Sequence, residues 1–431
     1  MNRDIVILGA GLAGLSTAYH LGNGCRLYEQ DGEVGGLARS DTVNGFTFDR
    51  DGHLLHFKTK YAKKLIERLL PDDLTAHKRS AWVFSHDAYT PYPFQANTFG
   101  LPQTVVKDCI FGMVTANTRS SADDESNLRD WMVNKFGAGI TRHFLYPYNQ
   151  KFWTLPPEKL IPDWTSNYVP RVGVKDVING AFSGRTALLG YNTTFWYPRC
   201  GGIDRLAKAL RKKLKNVKTN HRAKAIDIEK RKVWFANGET ADFSVLVSTI
   251  PLIELKDLII QKMPLAVKQA FSRLKYISVY NLNLGVEREG VSDKHWIYFP
   301  EEKFCFFRVG FPTNFSADVA PKSNSSLYVE LSYSEYRPLR DKQNVEKRIH
   351  ADLLKAGILR KTDKIVARHI NDIKYAYVIY DRNYRVSIKI ISDFLFENNI
   401  IAAGRFGRWN YMSMEDVILE GKAVSEQVKH L

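Results

Sequence analysis

Hydrophobic positions along this chain fall into patterns that predict different elements. A continuous apolar run from Ile5 to Leu8 precedes a glycine-rich turn, which predicts a buried parallel strand followed by a helix. Residues 223–251 alternate around the Asn237-Gly238 pair, which predicts strands joined by a tight turn, and they end in a buried strand at 245–249. These segments indicate a domain in which helices cover a sheet.

Other patterns predict the rest of the fold. Alternating stretches near 80–95 and 265–385 predict an antiparallel sheet, and the region between them at 100–189 predicts mostly helices. A branched apolar run at 400–404 predicts another buried strand, and a helix is predicted from Met414. We therefore expect an α/β fold, α+β overall, with two or three domains, because single cores stop growing near about 300 residues.

Composition narrows the function classes. The 431 residues are 44% hydrophobic and 25% charged, as in folded soluble proteins. A formal net charge of +16 favours anionic partners. No basic block carries interleaved aromatic residues, so nucleic acid is not expected. No run of about 18 apolar residues predicts a membrane span, and peripheral membrane contact stays open.

Four scattered cysteines bear on redox chemistry and metals. They are Cys25, Cys109, Cys200 and Cys305, without a CxxC pair or histidines at ligand spacing. We expect no metal site and no disulfide framework, and reduced thiols favour a cytoplasmic protein.

The first turn contains a GxGxxG pattern at Gly9, Gly11 and Gly14. The first glycine makes the tight turn, the second lets the backbone approach a pyrophosphate, and the third lets helix and strand pack closely. A second strand ends in Glu29, where a carboxylate would accept the ribose hydroxyls of an adenosine. The pattern predicts a dinucleotide site; the alternative is a glycine-rich turn in a domain without nucleotide.

The next segment, EVGGLARS, favours FAD over NAD. Gly35 and Gly36 with Arg39 form a second turn rich in backbone donors. It resembles the xxGGxxxS/T extension in FAD proteins of the glutathione-reductase and amine-oxidase type. FAD is longer than NAD, and its flavin end needs this additional loop.

The segment GRFGRWNY at 404–411 combines glycines, arginines and aromatic residues. We expect Gly404 and Gly407 to let the backbone pass close to an isoalloxazine, with the positive charge of Arg405 beside it. The following helix would direct its N-terminus there, and Tyr411 would reach towards the substrate.

Together these motifs resemble the amine oxidase and protoporphyrinogen oxidase superfamily, and further segments resemble one of its branches, the UDP-galactopyranose mutases. The segments that carry this resemblance are TPYPFQANTFGLP (90–102), YPYNQKFWTLPPEKLIPDW (146–164), WIYFPEE with FFRVG (296–310), and GRFGRWNY.

The resemblance assigns roles to individual residues. It implies that Arg308 and Arg171 grip the substrate diphosphate, with hydrogen bonds from Tyr298, Tyr377 and Tyr411. Planar guanidinium groups and neutral phenols suit such a ligand. It also implies that His53 lies against the flavin. The nucleotide and sugar pocket would be shaped by Tyr92, Phe94, Gln95, Asn149 and Trp153.

Departures from the mutase pattern lie on the substrate side. Arg171 comes seven positions after Trp164, whereas the family's first diphosphate arginine follows its tryptophan closely. After Tyr411 the family has an asparagine, and here Ser413 or Glu415 takes its place. The segment around Tyr377 lacks the family's prolines. The sugar or nucleotide can therefore differ.

Structural roles are the alternative for several of these residues. Trp153 and Trp164 could fill the core of a helical domain, since tryptophan is highly buried on average. Tyr298 and Arg308 could be a structural tyrosine and a surface charge. His53 could be hydrogen-bonded without taking part in chemistry.

The motif order predicts three domains. A discontinuous Rossmann-like FAD-binding domain comprises residues 1–75, 190–262 and 386–431. A mostly helical insert comprises 100–189, and an antiparallel-sheet substrate domain comprises 76–99 and 263–385.

The resemblance implies a flavin-dependent intramolecular transferase that interconverts the pyranose and furanose forms of UDP-galactose. The reaction would proceed through an adduct of the sugar on N5 of reduced FAD, with NADH or NADPH as a candidate reductant. One alternative is an FAD-dependent oxidase or dehydrogenase for an amine, porphyrinogen or polyene, which would use an apolar channel. Another is a flavin-binding protein without activity. The sugar, the base and the oligomeric state stay open.

Overall fold

The computed structural model describes residues 4–118, 126–184, 187–190 and 192–430. Parts of the predicted domains, at 1–3, 119–125, 185–186, 191 and 431, lie outside the described residues. The strands of the described chain are β1 (Ile5–Leu8), β2 (Cys25–Tyr28), β3 (Ser40–Val43), β4 (Phe46–Asp49), β5 (Leu74–Lys78), β6 (Ala81–Ser85), β7 (Ala88–Pro91), β8 (Thr194–Pro198), β9 (Val217–Lys218), β10 (Ala223–Asp227), β11 (Lys232–Phe235), β12 (Thr240–Asp242), β13 (Val245–Ser248), β14 (Tyr276–Val286), β15 (Trp296–Tyr298), β16 (Arg308–Gly310), β17 (Ser325–Tyr333), β18 (Ile365–Val378) and β19 (Ile400–Ala402).

The α-helices are α1 (Leu12–Leu21), α2 (Lys60–Leu69), α3 (Gln103–Thr118), α4 (Leu128–Ile140), α5 (Tyr146–Trp153), α6 (Thr165–Tyr168), α7 (Val174–Phe182), α8 (Asp204–Lys212), α9 (Leu252–Leu258), α10 (Leu265–Ser272), α11 (Lys342–Lys355), α12 (Tyr384–Glu397), α13 (Gly404–Gly407) and α14 (Met414–His430). A π-helical turn at Thr141–Leu145 joins α4 to α5. Short 3₁₀ segments occur at Gly22–Gly24, Phe94–Ala96, Pro157–Lys159, Pro312–Asn314 and Ala317–Val319.

A parallel sheet forms one side of the molecule. Its strand order is β19-β13-β1-β2-β9, and its central strand β1 is apolar on both faces because both faces are covered. Ile7 and Val247 share a hydrophobic core with residues of α1, α8 and α14. Val6 and Leu246 belong to the opposite core, with residues of β11 and α9.

A seven-stranded sheet covers the other side, in the order β18-β14-β17-β16-β15-β6-β7. Its pairings are antiparallel except between β15 and β6. Side chains point alternately to the two faces of β17, and the two faces carry different residues. Leu327 and Val329 share a core with Ile349 of α11, whereas Tyr328 and Glu330 lie on the opposite face of the strand. Polar side chains of this sheet are thus directed into the molecule.

The segment between the two sheets in sequence is helical, as its pattern predicts. Helix α4 bends at Gly137, where φ is 76°. A Cβ there would lie 2.1 Å from the carbonyl carbon of Gly112, so the absence of a side chain lets α3 and α4 approach closely. Beyond the π-helical turn, α5 carries the next residues against the seven-stranded sheet.

The parallel sheet, the antiparallel-rich sheet and the helices confirm the predicted fold class. The parallel sheet draws its strands from three separated parts of the chain, 5–28, 217–248 and 400–402. Helix α12 crosses the predicted boundary at 385/386. The division into three domains stays a prediction.

Candidate active site

A cavity of about 1140 Å³ lies where the parallel sheet, the seven-stranded sheet and the helical segment meet. Most of the residues predicted from sequence line it. These are Gly9, Gly11, Glu29, Gly36, His53, Tyr92, Gln95, Asn149, Trp153, Tyr298, Arg308, Tyr377, Gly404, Arg405 and Tyr411.

The turn after β1 presents backbone atoms to the cavity, because glycines occupy its key positions. Gly9 has φ of 94°, which L-residues with side chains rarely adopt. A Cβ on Gly14 would lie 1.9 Å from the carbonyl oxygen of Gly9, so this glycine lets α1 pack against the turn. Gly14 itself does not line the cavity. Its role is to allow the approach of helix and strand.

A second glycine turn lies beside the first. The amide of Gly35 donates to the carbonyl oxygen of Ala10 at 2.8 Å. A Cβ on Gly36 would lie 3.3 Å from the Cα of Gly11, which shows how closely the two turns approach. The result is a continuous backbone surface at one end of the cavity.

Glu29 ends β2 at the same edge. Its carboxylate accepts hydrogen bonds from the amides of Ala10 at 2.6 Å and Asp31 at 3.0 Å. Burial raises the pKa of Glu29, against the lowering effect of these amides. Arg39 does not line the cavity; its guanidinium pairs with Asp31 at 2.9 Å and Glu33 at 3.5 Å. Its predicted contact with the cofactor stays a prediction.

This end of the cavity fits the pyrophosphate of FAD. Among the described residues, no side chain caps the N-terminus of α1, and its first turn contains no acidic residue. The first amides of a helix are donors without intrahelical partners, and the helix dipole favours an anion there. The uncapped helix, the two glycine turns and Glu29 would hold the dinucleotide.

Arg405 lines the cavity from α13. Its guanidinium carbon is 4.4 Å from the ring centroid of Tyr377 and 4.8 Å from that of Tyr411. Nη2 donates to the carbonyl oxygen of Ala376 at 2.7 Å, and Nε is buried with no hydrogen-bond partner among the described residues. An unsatisfied buried donor in a cavity is suited to a ligand atom.

Close packing is enough to explain the two glycines of GRFG, without reference to the flavin. A Cβ on Gly404 would lie 2.6 Å from the Cβ of Ala13 in α1. A Cβ on Gly407 would lie 2.7 Å from the carbonyl oxygen of Ser248. Both glycines allow α13 to pack against the parallel-sheet side. Their approach to a flavin stays a prediction.

Arg308 and Tyr298 are cross-strand neighbours on β16 and β15, as the sequence predicts. Arg308 is not a free surface charge. Its Nη2 lies 2.6 Å from Oε1 of Glu330, its Nε contacts Oε2, and Asp51 lies 4.0 Å away. Glu330 has no exposed surface. The guanidinium therefore enters the cavity already paired with an acid.

Tyrosines surround the two arginines. The ring centroids of Tyr92 and Tyr298 are 5.0 Å apart, and those of Tyr377 and Tyr411 are 5.5 Å apart. Burial raises the pKa of Tyr92, Tyr377 and Tyr411, so these phenols are neutral donors at pH 7. Neutral donors can converge without mutual repulsion.

Helix α5 forms an aromatic wall. Trp153 is 2% exposed, and its ring lies 5.3 Å from that of Trp164. Asn149 donates to the carbonyl oxygen of Leu145 at 2.8 Å and accepts from Nε1 of Trp153 at 3.2 Å. Lys151, on the other side of the helix, donates to the carbonyl oxygen of Phe299 at 2.8 Å. This bond ties α5 to the loop between β15 and β16.

His53 and Gln95 also reach the cavity. Burial lowers the pKa of His53, so its ring is neutral at pH 7, and Nδ1 lies 3.2 Å from the carbonyl oxygen of Asp51. Gln95 donates to the carbonyl oxygen of Pro170 at 2.8 Å, and its Oε1 is buried without a partner among the described residues.

Two predicted substrate residues are not brought to the cavity. Phe94 is fully buried and stacks on Phe144, with centroids 5.0 Å apart. Arg171 is exposed and does not line the cavity. The short helix α6 after Trp164 brings Tyr168 there instead. Its ring is 4.3 Å from that of Tyr411, and its hydroxyl lies 3.1 Å from Asp416. The diphosphate role of Arg171 has no support from its position.

Ser413 and Glu415, the two residues that could replace the family's asparagine after Tyr411, lie in different environments. Ser413 lines the cavity and donates to Asp416 at 2.7 Å. Glu415 is 2% exposed and accepts from the amides of Lys58 at 2.7 Å and Thr59 at 2.8 Å. Glu415 therefore holds the start of α2, and Ser413 faces the ligand space.

Several cavity residues were missed from sequence. Tyr148 lies four residues before Phe152, so both occupy one face of α5, and helical spacing could have identified it. Glu330 could have been identified as a polar residue within the alternating segment SSLYVELSY. Asp51, Tyr168 and Tyr328 also lie at or line the cavity, and no simple pattern marks them.

Comparison with known proteins agrees with this geometry. The model of the flavin containing amine oxidoreductase family matches residues 12–346. The chain belongs to this family. It is therefore a flavoprotein of the amine oxidase superfamily, and FAD fits the glycine turns and Glu29 described above.

Among solved structures, this family member is similar to a reduced UDP-galactopyranose mutase, with 27% identity and a TM-score of 0.93 over 99% of this chain and 96% of that one. The resemblance inferred from sequence is thereby confirmed. A putrescine oxidase bound to putrescine is 15% identical, with a TM-score of 0.68 over 100% of this chain and 99% of that chain. A CLA-producing fatty acid isomerase from P. acnes is 14% identical, with a TM-score of 0.68 over 99% and 98%. The last two share the fold alone.

In residues 4–118, 126–184, 187–190 and 192–430, no cluster of three or more His, Cys, Asp or Glu residues is placed to hold a metal ion. In the same part of the chain, every helix is too short or too polar to span a bilayer.

Proposed function

We propose that this flavoprotein is a mutase that interconverts the pyranose and furanose forms of a UDP-sugar, with UDP-galactose as the first substrate to test. The observation that carries the proposal is the convergence of Arg308, Arg405 and several neutral tyrosines in the cavity that fits FAD. The likeness to a UDP-galactopyranose mutase, at 27% identity, supports it.

The arginines and tyrosines suit a departing diphosphate. Arg308 and Arg405 present guanidinium groups from the seven-stranded sheet and from α13. Tyr298, Tyr377 and Tyr411 present hydroxyl groups between them. Charge-assisted and neutral hydrogen bonds from fixed donors stabilise charge that develops on a leaving group. These residues would hold the diphosphate while the sugar changes its ring size.

Reduced FAD, when bound, supplies a nucleophilic nitrogen for the anomeric carbon, and the reaction has no net redox change. The protein's part is to orient and to exclude water. Trp153 and Trp164 close one side of the cavity, and Tyr168 closes the side next to Tyr411. A closed site keeps water from the activated sugar.

An FAD-dependent oxidoreductase for a small apolar or amine substrate is the alternative. The aromatic wall of α5 favours it, because Phe152 and Trp153 offer an apolar surface in the cavity. Such an enzyme has no use for two guanidinium groups beside neutral phenols. The guanidinium groups of Arg308 and Arg405 in the cavity therefore favour the mutase.

The deciding experiment is anaerobic incubation of UDP-galactofuranose with the dithionite-reduced protein, followed by chromatography for UDP-galactopyranose. We expect conversion by the reduced protein and none by the oxidised protein. Arg308→Lys should reduce kcat by about 100-fold, because the ammonium group cannot reproduce two guanidinium hydrogen bonds.

Arg385→Lys is the matched control, because Arg385 makes an exposed two-bond pair with Asp163, and neither residue lines the cavity. Binding of UDP-galactose without conversion would point to a different nucleotide sugar. The proposal would be overturned if the protein neither binds nor converts the UDP-sugar and instead oxidises an amine. NADH or NADPH as reductant and a cytoplasmic location stay predictions, and the oligomeric state stays open.

A further inference from the structure

Two acidic side chains meet at Arg308, and the proposed reaction does not use either. Glu330, on β17, is directly opposite Arg308 on β16, and both of its carboxylate oxygens contact the guanidinium. Asp51, on the loop after β4, lines the cavity and lies 4.0 Å from Nη2 of Arg308. One buried cation thus faces two carboxyl groups.

The backbone holds Asp51 in an unusual conformation. Its φ is 90°, in the region that residues with a side chain rarely adopt. Its Oδ1 accepts from the amide of Gly52 at 2.8 Å, which fixes the carboxyl group. Strained backbone that persists at a ligand cavity indicates a functional constraint on the side chain.

Oε1 of Glu330 lies 2.6 Å and Oδ1 of Asp51 lies 4.0 Å from the same nitrogen, Nη2 of Arg308, so the two carboxyl groups are neighbours at one guanidinium. Two ionised carboxylates at one site repel each other, and a single proton held by the pair relieves that repulsion. Burial, with Asp51 alongside, raises the pKa of Glu330 well above its usual range despite Arg308. Burial acts to raise the pKa of Asp51 as well, but neighbouring Glu330, the charges of Arg308 and His53 and the amide of Gly52 together lower it below its usual range.

The other groups around the pair do not supply a further negative charge. His53 is neutral at pH 7 because burial lowers its pKa. Arg405 extends from α13 over the rings of Tyr377 and Tyr411. The phenols around the pair are Tyr148 from α5, Tyr298 from β15, Tyr328 from β17, Tyr377 from β18 and Tyr411. With one shared proton, the cluster of Arg308, Asp51 and Glu330 has no net charge.

We propose that Asp51 and Glu330 share one proton beside Arg308, and that a diphosphate bound at Arg308 draws a second proton onto this pair. The second proton comes from the solvent. The proposal rests on the proposed function, because it requires a diphosphate at Arg308. A nearby anion disfavours a carboxylate, so the bound ligand raises the affinity of the pair for a proton. Asp51 thereby weakens diphosphate binding at high pH and permits it at lower pH.

Isothermal titration calorimetry with UDP-galactose, in buffers of different ionisation enthalpy between pH 5 and 8, counts the protons taken up, because the diphosphate of this ligand does not itself titrate in that range. We expect the wild-type protein to take up close to one proton per UDP-galactose in the lower part of this range, and its affinity to fall as pH rises. In Asp51→Asn the new side chain tolerates positive φ, and this variant should take up no proton and bind UDP-galactose at least about tenfold more tightly at pH 8.

The control is Asp72→Asn, another aspartate with positive φ but exposed and outside the cavity lining. It should behave as the wild type does. Uridine, which has no phosphate, should bind without proton uptake. Equal proton uptake and equal affinity in the wild type and Asp51→Asn would overturn the proposal.

Infrared difference spectra of the ligand-free proteins test the shared proton separately. The band of a protonated carboxyl group at pH 7 should be present in the wild type and lost in both Asp51→Asn and Glu330→Gln. An unchanged band would overturn the shared proton whether or not UDP-galactose binds. If the spectra change as expected but the wild type does not bind UDP-galactose, the proposed function fails, and with it the second proton.

Discussion

The two ends of the cavity are built in different ways. At the nucleotide end, the surface is backbone: the turns at Gly9–Gly11 and Gly35–Gly36 lie in contact, and the first amides of α1 have no side-chain cap among the described residues. At the substrate end, the surface is side chains from four distant segments around Arg308 and Arg405. A backbone site tolerates few changes in conformation, whereas a side-chain site can change its ligand by substitution.

The strongest test of this difference is Gly14→Ala. Its Cβ would lie 1.9 Å from the carbonyl oxygen of Gly9, so α1 has to move. We expect the free energy of unfolding to fall by about 4 kcal/mol and the purified protein to lose FAD. Urea unfolding and the flavin absorbance measure both effects. Gly24→Ala is the control, since a Cβ there meets no described atom within 4 Å. If Gly14→Ala retains FAD, the nucleotide end does not depend on the close approach of α1 to the Gly9 turn.

A second test replaces a charge at the substrate end. Arg308→Met leaves the carboxyl of Glu330 buried without its guanidinium, and we expect a loss of about 3 kcal/mol in the free energy of unfolding. Arg385→Met removes a similar two-bond pair whose arginine side chain is 75% exposed, and should cost less than about 1 kcal/mol. If urea unfolding shows the same loss of unfolding free energy in both variants, burial of the Arg308–Glu330 pair does not contribute to the cost of breaking it.

A third test uses acid. Burial, with His77 nearby, lowers the pKa of His295 at the start of β15 to about 4. Between about pH 6.5 and 4 the unfolded chain binds more protons at this residue than the native protein does, so stability falls as pH falls. We expect this residue to account for about 2 kcal/mol of the acid-induced loss.

In His295→Asn that loss should be absent, because asparagine keeps an acceptor for the amide of Ser80 and does not titrate. Urea unfolding at pH 7 and pH 4.5 measures the difference. The exposed His350, changed to Gln, serves as the control. An identical acid response in His295→Asn and the wild type would exclude the effect.

The smallest expected effect is that of Arg171→Ala. The side chain is exposed and outside the cavity lining, so kcat/KM for the UDP-sugar should change by less than about threefold. A fall comparable to that of Arg308→Lys would restore the role that the sequence resemblance gave to Arg171. It would also show that the segment after Trp164 rearranges when substrate binds.

Sequence predicted the two ends with different success, for a physical reason. A backbone site depends on glycines at fixed spacing, so Gly9, Gly11 and Gly36 could be located directly. A side-chain site depends on contacts between distant segments. Arg308 and Tyr298 were identified through the family resemblance of the segments WIYFPEE and FFRVG, whose strands pair with each other, but Glu330 lies on a third strand and was missed.

Local structure explains why Phe94 and Arg171 are not brought to the cavity. Phe94 begins a 3₁₀ turn that directs its ring into the core, and α6 places Tyr168 where Arg171 was expected. Neither turn has a strong sequence signal. The predicted core role of Trp153 and its predicted pocket role are both compatible with the structure, because it is buried and still lines the cavity.

The parallel sheet has a consequence for how the molecule is made. Strand β1 and its glycine turn precede every other described element in chain order, whereas the edge strand β19, helix α13 and the helix α14 that packs on α1 come last. During translation, α1 therefore lacks part of its packing surface until residues 400–430 have left the ribosome. A nascent chain stalled before that point exposes the apolar face of α1, which makes it a candidate for chaperone binding.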